Sequence, residues 1–388
     1  MSLTFINIDL SDEAARSLRI EGDRIVALGE PPQAGDRVVD LRGARVLPGL
    51  INAHDHLQWN HFPHIEYVPA YRHIGQWIAD VNTRARADRS FWVSGASRDS
   101  RLAAGGFKNL LSGVTTVAHH DPLYPPLSQP GFPVRVVVDY GWSHSLPLDG
   151  EESVRRSYHG TPHDQPWIIH AAEGVDDESA EELDRLAALG CLGPNTLIVH
   201  GVALERAHHA RLLEANAALI WCPSSNLRLF GRAAEIGDLL GAGRLALGTD
   251  SRLTGSRDLF DELRAAAALS GADDETLESL VTRDNARLLR LANRGEIREG
   301  ALADLLILPR GMPLTRATRA DVRLVIVNGT ARYGDKDYAE ACDPSHRWAE
   351  ILVDGRSKVL DGDLAARLFS SEPREPGVQL LSAEWRAA

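Results

Sequence analysis

The chain has 388 residues, enough for one large domain with an ample core and a smaller one beside it. With 44% apolar and 25% charged residues it has the balance of an ordinary soluble globular protein. A net charge of -12 argues against non-specific binding to nucleic acid or to an anionic membrane. Cys191, Cys222 and Cys342 are odd in number and far apart, which argues against a disulfide framework. The sequence shows no basic-then-apolar leader and no apolar run near about twenty residues, so a cytoplasmic enzyme is expected.

Residues 4–46 read as short strands and turns. Two alternating runs, 17–20 and 24–28, flank Gly22-Asp23, a hairpin signal, and 37–41 follows as a third strand. The apolar run 46–51 then reads as a buried strand ending in His54 and His56. Alternate side chains on a strand share a face, so the two imidazoles are expected to project together. Together they make half of a metal site, although a bare His-x-His also reads as two polar residues leaving a strand. The stretch to residue 80 carries Trp59, Phe62, Tyr67, Tyr71 and Trp77. It reads either as a long loop at the mouth of a site or as a flap packed on the core.

A helix is predicted over 90–112, then a strand over 114–118 that ends in His119-His120-Asp121. Residues 134–140 form the next strand, running on towards Trp142 and His144. Further strands follow at 167–170, 196–200, 218–221 and 245–250, with helices over 178–189, through Arg211 and Leu212, and over 259–268. Continuously apolar strands alternating with amphipathic helices mean a parallel sheet covered by helices. Seven such strands are clear and an eighth can be hidden, which favours a (β/α)₈ barrel over an open sheet. His54, His56, His119, His170, His200 and Asp250 all fall at C-terminal strand ends, the active-site rim of a barrel. No Gly-rich phosphate turn follows the first strand, as an open dinucleotide-binding sheet requires.

Chemistry assigns His54, His56, His170 and Asp250 as ligands, with Glu173 and His200 beside them. Three imidazoles and a carboxylate suit one Zn²⁺ or Fe²⁺ with a position left for water. Such a metal lowers the pKa of bound water from about 15.7 to roughly 7. Asp250 can then accept the proton of that water, His200 can hydrogen-bond the hydroxide or oxyanion, and Glu173 can shuttle a proton. Each strand-end histidine alone reads equally well as a hydrogen-bonded cap.

Pro48-Gly49-Leu50-Ile51-Asn52-Ala53-His54-x-His56 resembles the opening signature of the amidohydrolase superfamily. His170-Ala-Ala-Glu173, Val199-His200-Gly201, Cys222-Pro223-x-Ser225-Asn226 and Leu247-Gly248-Thr249-Asp250-Ser251 are similar to its cytosine deaminase and chlorohydrolase-like branch. So are Gly295-Glu-Ile-x-x-Gly300-Ala-x-Ala303-Asp304-Leu305 and Val325-Ile326-Val327-Asn328-Gly329. The resemblance implies a barrel over 47–294, a β-sandwich built from 1–46 and 295–345, and a C-terminal segment over 346–388 of helices and a loose end. It implies the same four metal ligands, with Glu173 as proton shuttle and His200 orienting the hydroxide. Some relatives hold two metals bridged by a carboxylated lysine. Between residues 46 and 290 the only lysine is Lys108, on the predicted helix, so a mononuclear site is expected.

Three residues depart from the family pattern. Asp55 stands where Thr is more usual and is read as orienting a ligand histidine. Trp221 replaces a His before Cys-Pro, and His119-His120 make a strand end more basic. Hydrolytic deamination of an aminated heterocycle (purine, pyrimidine, pterin or triazine-like) follows as the leading activity. Cyclic-amide hydrolysis or loss of another leaving group by the same site is the alternative, and a non-catalytic barrel the remote one. Trp59, Trp142 and Trp221 can stack on a flat ring or pack the barrel mouth, and His119, His120 and His144 shape the pocket. Arg252 can meet an anionic substrate group or form an ion pair with a rim carboxylate such as Asp258. The expected partner is a small molecule, and a homodimer is the base-rate assembly.

Overall fold

The computed structural model describes residues 2–10, 15–62, 70–87, 96–370 and 374–381. Among them, eight parallel strands carry the site. They are β1 (Leu50–Asp55), β2 (Val114–His119), β3 (Arg135–Val136), β4 (Gly141–Ser145), β5 (Trp167–Ala171), β6 (Thr196–His200), β7 (Ala218–Trp221) and β8 (Leu245–Leu247). Strands β1 to β3 form one sheet and β4 to β8 another, each in sequential order. The last strand meets the first. Thr249 N and Asp250 N donate to His54 O at 3.0 and 3.1 Å. Beside them the Asn285 amide donates to Ile51 O and Leu247 O at 2.7 and 2.9 Å.

Most strands are buried on both faces, which is why their sequences are continuously apolar rather than alternating. One face packs inward, with Ile168, Leu197, Val199 and Ile220 together. The other packs on helices such as α2 (Arg98–Leu111), whereas α1 (Ile74–Ala87) packs against Val202, Leu229 and Phe230. Helix α2 begins where the Ser97 hydroxyl accepts from Ser100 N, later than the sequence predicted. The first part of that prediction, 90–95, lies outside the described residues, as does Tyr67.

Several expectations are corrected. The strand read over 46–51 is two strands. Arg45–Pro48 pairs antiparallel with Leu305–Leu308, whereas β1 pairs with β2. The chain changes sheet at Gly49, where any Cβ would overlap the Thr115 side chain. The strand read over 134–140 is only Arg135–Val136, and the chain re-forms a strand at Gly141. That is the hidden eighth. Residues 74–80, expected as loop or flap, belong to helix α1.

The terminal strands build a four-stranded sheet (Arg24–Leu28, Ser17–Glu21, Ser2–Ile6, Arg37–Asp40) and a seven-stranded one. Phe5, Leu18 and Ile20 of the first share a core with Leu305, Ile307 and Ile326 of the second. The segment beyond residue 345 is not mainly helical. Trp348–Val353, Arg356–Asp361 and Val378–Leu380 extend the larger sheet, with one helix, Gly362–Ser370, between them. Among the described residues no helix is long and apolar enough to cross a membrane.

Gly248 lets the end of β8 lie against β1, since a Cβ there would sit 2.6 Å from His54 Cβ and 2.8 Å from its backbone N. Gly248→Ala must therefore displace His54. It is expected to cost about 1–3 kcal/mol in urea unfolding, the range for overpacking. Metal retention on dialysis should fall with it, and a variant that keeps both would show that the contact is slack.

Candidate active site

Ile51 and Ala53 face the inner core, so a strict alternation along β1 would send both His54 and His56 to the helix side. The β1–β2 register shifts between Asn52 and Asp55. This irregularity turns Asp55 towards α2 and leaves His54 facing the site, a use of bulges common beside active sites. His56 follows just past the strand end. His170 ends β5 opposite them. Their ligand atoms lie within 4.8 Å of one another. His170 Nε2 is 3.3 Å from both His54 Nε2 and His56 Nε2.

The outer nitrogens decide what those inner atoms are. His170 Nδ1 donates to the His144 carbonyl at 2.8 Å. His120 Nε2 donates to the Ser143 carbonyl at 2.9 Å, so its Nδ1 accepts from His54 Nδ1 at 3.3 Å. Burial, with neighbouring imidazoles adding to it, holds His54, His120 and His170 well below their ordinary pKa, so they are neutral. His54 and His170 therefore aim Nε2 lone pairs at one point. Burial also opposes charge on His56. The Asp121 carboxylate, 2.7 Å from Nδ1, outweighs it and pushes His56 up to about 9. Its second proton then faces the His170 lone pair. A divalent cation takes the place of that proton, and the donor set fits one.

Asp250, after β8, lines the same cavity with its oxygens taken by Ser251 N at 2.6 Å and Thr254 Oγ1 at 2.7 Å. Burial alone would raise its pKa. The charge of His56 and these two hydrogen bonds instead hold it below the ordinary value. His200 ends β6. Its Nδ1 accepts from the Asn226 amide at 3.0 Å, leaving Nε2–H to face Glu173 Oε1 at 3.4 Å. Burial keeps His200 neutral, lowered to about 4. Glu173 is pushed well above the carboxylate range by burial and by the charges of Asp250 and Glu182, so it is protonated. Ala172, His200 and Asp250 have φ of 54°, 75° and 53°, a left-handed backbone seldom tolerated outside glycine and collected here at three strand ends.

The cavity above these groups has a volume of about 330 Å³. A profile for the Amidohydrolase family matches residues 154–332. A 5-methylthioadenosine/S-adenosylhomocysteine deaminase of Haloarcula marismortui is 31% identical over 94% of this chain and 94% of its own length. The chain belongs to the amidohydrolase family. It is a metal-binding hydrolase of carbon–nitrogen bonds. In solved structures the fold is similar to that of an adenosine deaminase from Xanthomonas campestris with bound zinc. That match has a TM-score of 0.70 and 20% identity, over 85% of this chain and 92% of that one. An atrazine chlorohydrolase variant from Arthrobacter aurescens, complexed with zinc and atraton, has a TM-score of 0.68 and 20% identity, covering 85% and 94%.

The other residues singled out in the sequence separate into two groups. Trp59 and His144 line the amidohydrolase cavity. His120 lies behind His54, as described, and Trp142 sets its ring edge-on against His120 with centroids 5.5 Å apart. Trp221 is corrected. Its side chain is 1% exposed and packs in the helix-side core with Leu219 and Leu247, so it meets no substrate. His119 is corrected likewise. Its Nδ1 accepts from Leu57 N at 3.3 Å, away from the cavity. Arg252 is an ion-paired residue rather than a substrate anchor. Its two terminal nitrogens bind Glu375 at 2.8 and 2.6 Å, not Asp258.

Sequence reasoning missed Asp121, which a carboxylate at the end of the strand beside His-x-His signalled. It also missed Asn226, and the reach of Lys108. From α2, Lys108 Nζ is fully buried and donates to Asp250 O at 2.7 Å, Thr249 Oγ1 at 2.9 Å and Asp55 Oδ2 at 3.2 Å. It braces two ligand-bearing segments from behind and does not enter the triad. Lys108→Met leaves Asp55 buried without its cation and is expected to cost about 3–5 kcal/mol. In Asp55→Asn/Lys108→Met the charge is removed from both sides. That variant should recover most of the stability in urea unfolding yet still bind metal more weakly in chelator competition. Full recovery of affinity would limit Lys108 to a folding role.

Proposed function

We propose that this amidohydrolase removes ammonia hydrolytically from an aminated heterocycle, with an adenine-type ring first among candidates. Its matched relatives are named as 5-methylthioadenosine/S-adenosylhomocysteine deaminases, which supports that ring. The observation that carries the reading is the opposite polarity of neighbouring imidazoles. His54 and His170 offer lone pairs to one point, whereas His200 offers an N–H beside a protonated Glu173.

His54, His56, His170 and Asp250 would hold one Zn²⁺, with Fe²⁺ the other metal suited to the donors. When bound, such a metal lowers the pKa of a coordinated water from about 15.7 to roughly 7. The ionised Asp250 takes the proton of the attacking water. The new C–O bond forms at the amine-bearing ring carbon while Glu173 gives its proton to the adjacent ring nitrogen. His200 Nε2–H donates to the oxygen as charge gathers there. Asp250 then passes its proton to the exocyclic nitrogen, the C–N bond breaks and ammonia leaves, while the hydroxyl proton returns to Glu173 as the ring carbonyl forms. The barrel architecture, with β1 to β8 closed and the terminal sheets packed as a sandwich, belongs to the same reading.

Glu173→Gln keeps the shape and loses the shuttle. Ammonia release should fall about 10²–10⁴-fold with metal content unchanged, as an enzyme-coupled ammonia assay beside elemental analysis will read. Unchanged turnover would remove Glu173 from the chemistry. Elemental analysis of the purified enzyme should give close to one metal per chain. His54→Ala and Asp250→Asn should each lower that figure and abolish turnover. Two metals per chain would overturn the mononuclear site.

A further inference from the structure

The lining of the cavity is divided, and the division bears on what the substrate carries beyond its ring. Every ionisable group among the described lining residues lies on the floor, in or beside the triad. The wall is apolar. Ile74, Trp77, Ile78 and Val81 of α1 recur at helical spacing on the face turned to the cavity, and Trp59, Leu148, Leu229 and Leu253 join them. Outside the floor and the loop after Asp250, Asn82 is the neutral polar residue the described lining offers.

This wall is fixed relative to the proton shuttle. Ile74 N donates to Glu173 O at 3.1 Å, Val175 N to Arg72 O at 2.7 Å, and Tyr71 N to Leu229 O at 2.8 Å. Behind it Tyr71, Ile74, Trp77 and Val175 pack against Val202, Leu229 and Phe230. A ring seated with its amino carbon over the triad therefore directs its substituent along α1.

The floor has no charge to spare for such a substituent. Asp121 is held by His56 and Gln58, Asp250 by Ser251 and Thr254, and Glu173 is protonated. No lysine or arginine stands among the described lining residues. A zwitterionic tail would be desolvated there without a partner, whereas an alkyl or thioether tail gains by leaving water.

We infer that the substrate is an uncharged aminated heterocycle whose substituent lies along α1 and ends in an apolar rather than a charged group. This rests on the deaminase reading above. Three compounds sharing one ring test it: adenosine, 5-methylthioadenosine and S-adenosylhomocysteine, each given to the metal-loaded enzyme with ammonia release followed. The expected result is a kcat/KM for the methylthio compound at least about tenfold above that for the zwitterionic one. Ile78→Asp should raise KM for the methylthio compound about tenfold, with a smaller change in kcat. Equal or better turnover of the zwitterion overturns the inference, as does an advantage that survives Ile78→Asp. Calorimetric Kd values for the same compounds on Glu173→Gln separate the two readings. A retained apolar preference with no ammonia from the wild type sinks deamination alone, and absence of that preference sinks the inference.

Discussion

Lone pairs that converge in a dry pocket repel one another, and the site is built around holding them there. A buried imidazole shows its inner nitrogen as an acceptor only if something else takes its outer proton. Three different partners do so here: the His144 carbonyl for His170, the His120–Ser143 relay for His54, and the Asp121 carboxylate for His56. They come from the ends of β2 and β4. The metal site is thus specified by neighbouring strand ends as much as by its ligands. His200 meets the same rule with the opposite outcome. Asn226 fills its outer nitrogen with a donor, so the inner one keeps its hydrogen.

Charge that would disturb this arrangement is settled behind the rim. Lys108 and Asp55, both fully buried, neutralise each other between α2 and β1, and the ammonium spends its remaining hydrogens on Thr249 and the Asp250 carbonyl. That carbonyl belongs to a residue in left-handed backbone, and the hydrogen bond helps to offset the strain. Further out, Glu375 accepts from Arg252 and Arg319, and Arg319 also binds Asp354. The C-terminal segment therefore anchors the loop that follows Asp250. A rim rich in ionisable residues surrounds a cavity with an apolar wall because those charges are already paired with one another.

How much of this was legible follows the range of the interaction. Strand ends carrying His54, His170, His200 and Asp250 could be read because a buried strand and its first polar residue are local features. The irregularity in β1 could not, since it depends on which residue of β2 faces Asp55, and that pairing is not local. Trp221 looked available to a ring because it stood at a strand end. Its face was set by one residue of register, which turned it into the helix-side core. Of the two readings of Arg252 the ion pair is the one observed, but with Glu375 in place of Asp258, a partner 123 residues along the chain. Helix α1 was hidden by the aromatic-rich stretch that leads into it, although Ile74, Trp77, Ile78 and Val81 keep a helical spacing that a periodicity count would have caught.

That helix ties selection of the substrate to the chemistry. The segment from His170 to Val175 carries a ligand, a left-handed Ala172 and the proton shuttle, and its backbone also receives the first turn of α1. Glu182 reinforces it from beneath by accepting from Ala172 N at 2.7 Å. A displacement of α1 by a poorly matched tail would pull on the Glu173 carbonyl and move the carboxyl relative to His200. Fit along the wall and proton transfer at the floor are therefore one mechanical unit, in which a substituent that packs badly loses rate as well as affinity.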